Sequence, residues 1–171
     1  MDEVVLLLVF LIPIYVANAL PVVLGGGAPL DMNVKFIDKK RVFGESKTIR
    51  GFVAGVAGGT VIAGIISLFL VLPFFPNAQS QFLAGFVLSF GTMLGDAFGS
   101  FMKRRLGIAP GKPFILDTLI FVVFALILAY PFVTGTLYEP ANVAFMLLLT
   151  VILHPLTNFL ANQTGLKKVP W

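Results

Sequence analysis

The stretch "GFVAGVAGGTVIAGIISLFLVL", residues 51–72, contains no charged side chain. A helix that crosses a bilayer needs about 20 predominantly apolar residues, because its backbone rises only about 1.5 Å per residue. The segment is therefore predicted to be a transmembrane helix. Its glycines at positions 51, 55 and 59 recur every fourth residue, a spacing that lets two membrane helices approach closely.

The same composition extends over the whole chain of 171 residues, which is 58% hydrophobic and 12% charged. A soluble domain usually carries about 25% charged residues. We therefore predict an all-α integral membrane protein with five transmembrane helices in a single membrane domain, residues 1–171. The absence of cysteine and the single histidine exclude a disulfide framework and a multi-histidine metal site. The predicted spans are residues 4–24, 51–72, 81–102, 114–133 and 141–163.

The charges are distributed on one side of these spans. Every lysine and arginine lies in the predicted loops 25–50 and 103–113 or in the tail after residue 163. Cytoplasmic loops carry an excess of Lys and Arg, so this side is predicted to be cytoplasmic, with the N-terminus outside and the C-terminus inside. The pattern predicts a multi-pass protein of the cell membrane and explains the net charge of +4 without a nucleic-acid partner. The acidic residues Asp2 and Glu3 argue against a signal peptide, whose N-terminal region is basic.

Two aspartates interrupt the apolar pattern at similar depth near the predicted cytoplasmic face. Asp96, Ser100 and Lys103 share one helix face, and Asp117 lies in the first turn of the next span. A single aspartate here is as often a helix-capping or snorkelling acid as a functional one. Two facing carboxylates repel each other unless a cation lies between them, and Mg²⁺ is commonly bound by one or two carboxylates plus phosphate oxygens. Basic residues next to the acids then become candidates for phosphate binding.

A second basic segment, "RVFGESKTIRG", spans residues 41–51. It is not a P-loop, because that motif needs glycine where Arg41 and Ser46 stand and a preceding strand. Lys47, Thr48 and Arg50 nevertheless lie at a predicted helix start, where backbone N–H groups favour phosphate.

Polar residues also occur inside the spans. His154 and Asn158 are spaced by four residues, and Asn18 lies one turn from the inner end of the first span. These side chains either form interhelical hydrogen bonds or contact a lipid or nucleotide.

Two motifs resemble a known group of enzymes. "GDAFGSFMKRRLG" (95–107), followed by "ILD" (115–117), is similar to the signature of the CDP-diacylglycerol synthases, in which Ser-x-x-Lys-Arg precedes Leu-Asp. The short chain, the five spans and the Gly-x-x-Lys-Thr-x-x-Gly loop at 44–51 more closely resemble their archaeal counterpart, the CDP-archaeol synthase family. The chain departs from the bacterial-type signature at "KPFIL" (112–116), which replaces a His-Gly-Gly run, and at Ile120, which stands where a further aspartate occurs.

The resemblance implies a reaction and a site. Such enzymes transfer CMP from CTP to a lipid phosphate, here digeranylgeranylglyceryl phosphate, and release pyrophosphate with the help of a divalent cation such as Mg²⁺. By resemblance, Asp96 and Asp117 are metal ligands, and Ser100, Lys103 and Arg104 belong to the nucleotide site.

Other functions remain open from the sequence. A CDP-diacylglycerol synthase acting on ester lipids, or a lipid or polyprenol kinase, would use the same metal and phosphate chemistry. A small ion or lipid transporter would instead carry acids throughout the membrane depth, whereas the intramembrane acids cluster here at one side. A lipid-binding scaffold would not require either aspartate.

Overall fold

The computed structural model describes residues 2–109, 112 and 114–167. Within these residues the chain contains no extended β-ladder, only two isolated bridges, so the all-α prediction is confirmed. Four of the helices are long and apolar enough to cross a membrane, and α4 is shorter. The helices are α1 (Glu3–Leu24), α2 (Ile49–Phe69), α3 (Ala78–Arg105), α4 (Ile115–Ala129) and α5 (Pro140–Gln163).

The helix α4 ends before the predicted span 114–133 does. A 3₁₀ turn, Tyr130–Phe132, follows Ala129 and contains Pro131. Proline has no N–H group to donate, so one α-helical hydrogen bond is lost at this position, and here the chain tightens into the 3₁₀ turn. The Tyr138 hydroxyl donates a hydrogen bond of 2.7 Å to the carbonyl oxygen of Leu126, which lies in the last turn of the helix. Together, helix and turn form an apolar helical stretch over Leu116–Phe132.

Glycines set the spacing between neighbouring helices. A methyl group on Gly59 of α2 would lie 2.8 Å from the carbonyl oxygen of Pro13 on α1. On α3, a methyl group on Gly95 would lie 2.7 Å from the carbonyl oxygen of Ile120 and from Cα of Phe121 on α4. Backbone atoms cannot turn aside as a flexible side chain can. The small-residue ridges expected from the sequence therefore lie at close helix contacts.

The buried core lies towards the end of the bundle where α1 begins. Phe10 of α1 stacks on Phe75 and meets Phe74 edge-on, both in the connection between α2 and α3. By contrast, Leu68 of α2 and Leu148 of α5 are largely exposed. An apolar side chain on the outside of a helical bundle is suited to lipid rather than to water.

The opposite end of the bundle carries the basic segments. It consists of the loop 25–48, the C-terminal turns of α3 with residues 106–109, the start of α4, and the tail after α5. Lys47 reaches α3, and Arg105 of α3 donates to the carbonyl oxygen of Arg41 in the loop, so these segments contact one another directly. We call this end the basic end.

Candidate active site

A buried aspartate organises the loop between α1 and α2. The carboxylate of Asp31 pairs with Arg41 and accepts hydrogen bonds from the backbone N–H groups of Asn33, Phe43 and Gly44. Burial opposes ionisation of this carboxyl, but these donors hold the pKa of Asp31 well below its usual value. The interactions fix the turn at Gly44, where φ is +95°. The sequence does not predict this role of Asp31, because a single acid in a basic loop belongs to no motif with a recognisable spacing.

The fixed loop delivers Lys47 to α3. The carbonyl oxygen of Lys47 accepts a hydrogen bond from the N–H of Leu30, and Thr48 is the N-cap of α2. The Lys47 side chain then extends to Asp96, with its Nζ atom 2.7 and 2.6 Å from the two carboxylate oxygens. Both side chains are about one quarter exposed. The contact joins two of the predicted site residues into one ion pair.

A second ion pair lies further along α3. The Nζ atom of Lys103 is 2.6 Å from a carboxylate oxygen of Asp117, in the first turn of α4. Gly99 makes room for this carboxylate, because a methyl group there would lie 3.2 Å from Oδ1 of Asp117. Asp96, Gly99 and Lys103 are spaced by three and four residues, so they share one face of α3. The carboxylate of Asp117 on α4 therefore lies against α3 at Gly99, about one helical turn beyond Asp96.

Other predicted residues of α3 lie next to these pairs. Ser100 is buried one turn after Asp96. Arg104 approaches the turn at Gly44, where a methyl group would lie 3.8 Å from the Nη1 atom of its guanidinium. Its buried Nε atom has no hydrogen-bond partner in the part of the chain that the structure describes. The guanidinium of Arg104 therefore lies beside the loop that carries Lys47 and has a hydrogen-bond donor that the described residues leave free for a ligand.

Arg105 has a different role at the same end. It donates to the carbonyl oxygen of Arg41 at 2.6 Å and lies 3.0 Å from the carboxylate of Asp38. Its guanidinium also stacks over the rings of Phe36 and Phe101. Arg105 therefore attaches the loop to the end of α3.

Thr48 and Arg50 are less directly connected to the acids. The Thr48 hydroxyl oxygen accepts hydrogen bonds of 3.1 Å from the N–H groups of Gly51 and Gly26, so it caps α2 and holds the end of α1 nearby. Arg50 is exposed in the first turn of α2 and forms no ion pair among the described residues. Phosphate binding by either residue stays a prediction.

The predicted polar residues of α1 and α5 do come together. A ring nitrogen of His154 lies 3.4 Å from the amide nitrogen of Asn18, and the other lies 2.9 Å from that of Asn158. The side-chain oxygen of Asn158 in turn accepts a hydrogen bond of 2.8 Å from Nζ of Lys167. A lysine of the tail thus joins the three predicted residues.

Lys167 is folded back against the end of α5. Its N–H donates to the carbonyl oxygen of Ala161, and its own carbonyl oxygen accepts from the side chain of Asn162. Burial lowers the pKa of Lys167 to about 8, and the charge of Lys47 adds to this effect. Lys167 therefore lies within electrostatic range of the acid–lysine pairs. From the sequence, Lys167 served only as one of the basic residues that indicate the cytoplasmic side. Its contact with Asn158 was not predicted, because a residue beyond the end of a helix follows no helical period.

The sequence of the whole chain, residues 1–171, matches the CarS-like family, described as CDP-archaeol synthase. The chain belongs to this family. Relatives named CDP-archaeol synthase include those of Thermococcus gammatolerans, 41% identical over 163 residues, and Methanococcus aeolicus, 42% identical over 170 residues. The alignments cover 95% of this chain and 93% and 94% of the two relatives. Members of this family are nucleotidyltransferases, so the chain is an enzyme.

The fold of this chain is also represented among solved structures. A structure described as an intramembrane enzyme for archaeal membrane lipids biosynthesis aligns with a TM-score of 0.73 and 32% identity. The alignment covers 88% of this chain and 91% of that chain. The five apolar helices described above are therefore those of a multi-pass membrane enzyme.

The donor set of this CDP-archaeol synthase family member fits a magnesium ion. Asp96 and Asp117 come from different helices, are partly exposed at the basic end, and each pair with one lysine among the described residues. Mg²⁺ usually takes one or two carboxylates and completes its shell with water and substrate phosphates. No group of three or more His, Cys, Asp or Glu side chains suited to a metal occurs among the described residues. Phosphate oxygens and water would therefore supply the remaining ligands.

Proposed function

We propose that this enzyme transfers CMP from CTP to digeranylgeranylglyceryl phosphate and releases pyrophosphate. The observation that carries the proposal is the presence of two aspartate–lysine pairs, Asp96 with Lys47 and Asp117 with Lys103, at the basic end of an apolar bundle. The relatives named CDP-archaeol synthase support the same reaction. At such an end a lipid headgroup arrives from the bilayer and a nucleotide from the water.

The reaction is a displacement at phosphorus. An oxygen of the lipid phosphate forms a bond to the α-phosphorus of CTP, and the bond from that phosphorus to the bridging oxygen breaks. Pyrophosphate leaves with that oxygen and its electron pair. The attacking group is already an anion, so no general base is needed, in keeping with a chain that has one histidine. Catalysis then depends on positioning the phosphates and offsetting their charge.

The site residues divide this work. Asp96 and Asp117 would hold Mg²⁺, which when bound supplies positive charge to the nucleotide phosphates. A carboxylate that binds a metal no longer needs its lysine, so Lys47 and Lys103 become available to the phosphates. Arg104 adds a forked donor beside them, a shape suited to bidentate phosphate contacts. The remaining candidates for the nucleotide site are the hydroxyl of Ser100, Thr48 and Arg50.

We infer further that the basic end faces the cytoplasm of the cell, where CTP is made, and that the N-terminus lies outside. All lysines and arginines lie in the segments on this side. Cysteines introduced at Asn77 and Thr136 should react with an impermeant thiol reagent from outside, and one at Lys40 only from inside. Labelling at Lys40 from outside would overturn this orientation.

The reaction itself is tested with purified protein, Mg²⁺, each of the four nucleoside triphosphates, and ether or ester lipid phosphates. We expect a CDP-lipid from CTP and the ether lipid phosphate, with loss of the reaction in EDTA and recovery with Mg²⁺. Preference for the ester substrate would indicate a CDP-diacylglycerol synthase. Transfer of the γ-phosphate would indicate a kinase, and no product from any pair would contradict the proposed reaction.

A further inference from the structure

An apolar crevice separates α1 from α5. It has a volume of about 330 Å³ and is lined on the α1 side by Val5, Leu8 and Ile12, among others, and on the α5 side by Leu149 and Leu153. Val5, Leu8 and Ile12 are about 40% exposed, so the crevice opens towards the lipid that surrounds the bundle. Its volume lies in the usual range for small-molecule sites, roughly 300–1,000 Å³.

Polar contacts join the two helices on either side of this crevice. Towards the end where α1 begins, the side chain of Asn142 donates to Glu3 at 2.9 Å. Towards the basic end, the Tyr15 hydroxyl donates to Thr150 at 2.9 Å, and Asn18 meets His154 one turn further on. The crevice therefore lies between these two sets of contacts, and the cluster that contains Lys167 lies beyond its basic end.

The cluster at the basic end of the crevice carries an uncompensated cation. Lys47 and Lys103 each pair with an aspartate, whereas Lys167 pairs with no carboxylate in the part of the chain that the structure describes. Its hydrogen-bond partner is the neutral side-chain amide of Asn158. A half-buried ammonium group without an anion is unfavourable, as the lowered pKa of Lys167 reflects. An anionic ligand at this position would remove that cost.

We propose that this crevice binds one hydrocarbon chain of the acceptor lipid and that Lys167, with Asn158 and His154, binds its phosphate. The proposal rests on the proposed function for the identity of the lipid as acceptor. A lipid phosphate has the required chemistry, since an apolar chain fits the crevice and an anion complements the ammonium group. It would also place the attacking oxygen near the acid–lysine pairs, because Lys167 lies within their electrostatic range.

Binding is tested without turnover by photolabelling of the wild-type protein in lipid nanodiscs. The probe is a dialkyl glycerol phosphate with a diazirine midway along one chain, and the comparison probe is the same dialkyl glycerol without phosphate. We expect label on α1 and α5 peptides from the phosphate probe, competed by unlabelled lipid phosphate but not by CTP or inorganic phosphate. Label confined to other helices, or equal uncompeted labelling by the two probes, would overturn the proposal even if no CMP transfer is ever observed.

Kinetics test the two halves of the site separately. Leu153→Trp fills the crevice and should raise the KM for lipid phosphate about tenfold, since overpacking of a fitted site costs a similar factor. Leu148→Trp, on the largely exposed side of the same helix, is the control and should leave that KM unchanged. Equal effects of the two substitutions would show that the crevice is not the lipid site.

Lys167→Met removes the cation and should raise the KM for lipid phosphate about 10- to 100-fold, as expected for a lost charge-assisted hydrogen bond. The KM for CTP should change little, and the matched control Lys35→Met, at an exposed position of the loop, should change neither. A rise in the KM for CTP alone would assign Lys167 to the nucleotide and overturn its role towards the lipid.

Discussion

The α3–α4 side and the α5 side of the bundle hold their polar residues in different ways. On the α3–α4 side, Gly95 and Gly99 bring the helices together, and each aspartate is paired with a lysine. On the α5 side, an apolar crevice separates the helix from α1, and Tyr15 and Asn18 reach across with polar contacts. Phosphoryl chemistry requires fixed positions for charges, whereas a lipid chain requires an opening to the bilayer. The difference fits the proposal that one side binds the nucleotide and the other the lipid.

The largest expected effect comes from removing one carboxylate of the α3–α4 side. Asp96→Asn should lower CMP transfer about 100-fold or more, because an amide no longer offsets the charge of a metal at this electrostatic site. The Asp96–Lys47 pair is partly exposed, so its loss should cost about 1 kcal/mol or less and shift the thermal midpoint by no more than about 4 °C. The check is CMP transfer alongside thermal unfolding.

Asp117→Asn should behave in the same way. The control is Glu45→Gln, because the Glu45 side chain is 92% exposed and its loss should leave transfer intact. Near-wild-type transfer by either aspartate variant in a folded sample would show that the carboxylate has only a structural role at the end of its helix. The α3–α4 side would then not differ from the α5 side by holding the catalytic charges.

A substitution in the tight contact between α3 and α4 should affect stability more than chemistry. Gly95→Ala places a methyl group against the backbone of α4, and overpacking of this kind costs about 1–3 kcal/mol. The matched control is Gly64→Ala on α2, where the methyl group would lie 3.3 Å from the ring of Phe82, a side chain that can turn. Thermal unfolding in detergent should show a lower midpoint for Gly95→Ala only. Equal midpoints would mean that α3 and α4 are not tightly packed.

The two basic residues of the loop should differ in their effect on nucleotide binding. Lys47→Ala should raise the KM for CTP about tenfold, since a charge-assisted contact with phosphate is lost. Arg50→Ala should raise it less, by about two- to threefold, because an exposed charge is screened by solvent. Initial rates at varied CTP concentration measure both. A larger rise in the KM for CTP in Arg50→Ala than in Lys47→Ala would indicate that the CTP phosphates bind near Arg50 and not at the acid–lysine pairs.

The smallest effect is a pH dependence on the α5 side. Lys167 has a pKa of about 8 and is influenced by Lys47, Lys103, Asp96 and Asp117, with His154 in the same cluster. The charged form binds phosphate, and its fraction falls as pH rises through 8, so kcat/KM for lipid phosphate should fall about twofold from pH 7 to 8. Lys167→Met should lack this change. An equal fall in the variant would assign the titration to another group.

The membrane character of this chain was determined by local sequence. Apolar length and the positions of charges are properties of single segments, and a bilayer acts on each segment separately. For the same reason, the sequence predicted the acids at 96 and 117 near one face and the glycine ridges at helix contacts. The sequence did not predict that α4 ends at Ala129, although Pro131 follows two residues later and accounts for the end of the helix.

Only the tertiary structure decided how the charged residues are partnered. Which lysine meets Asp96 depends on a loop turn that the carboxylate of Asp31 holds from within. Thr48 also accepts a hydrogen bond from Gly26 because the end of α1 lies beside it, and Lys167 joins Asn158 because the tail folds back along α5. These contacts join residues of different segments, and no helical or strand spacing along the sequence encodes them. They depend on the packing of helices that each satisfy their own backbone hydrogen bonds and leave the side chains to select their partners.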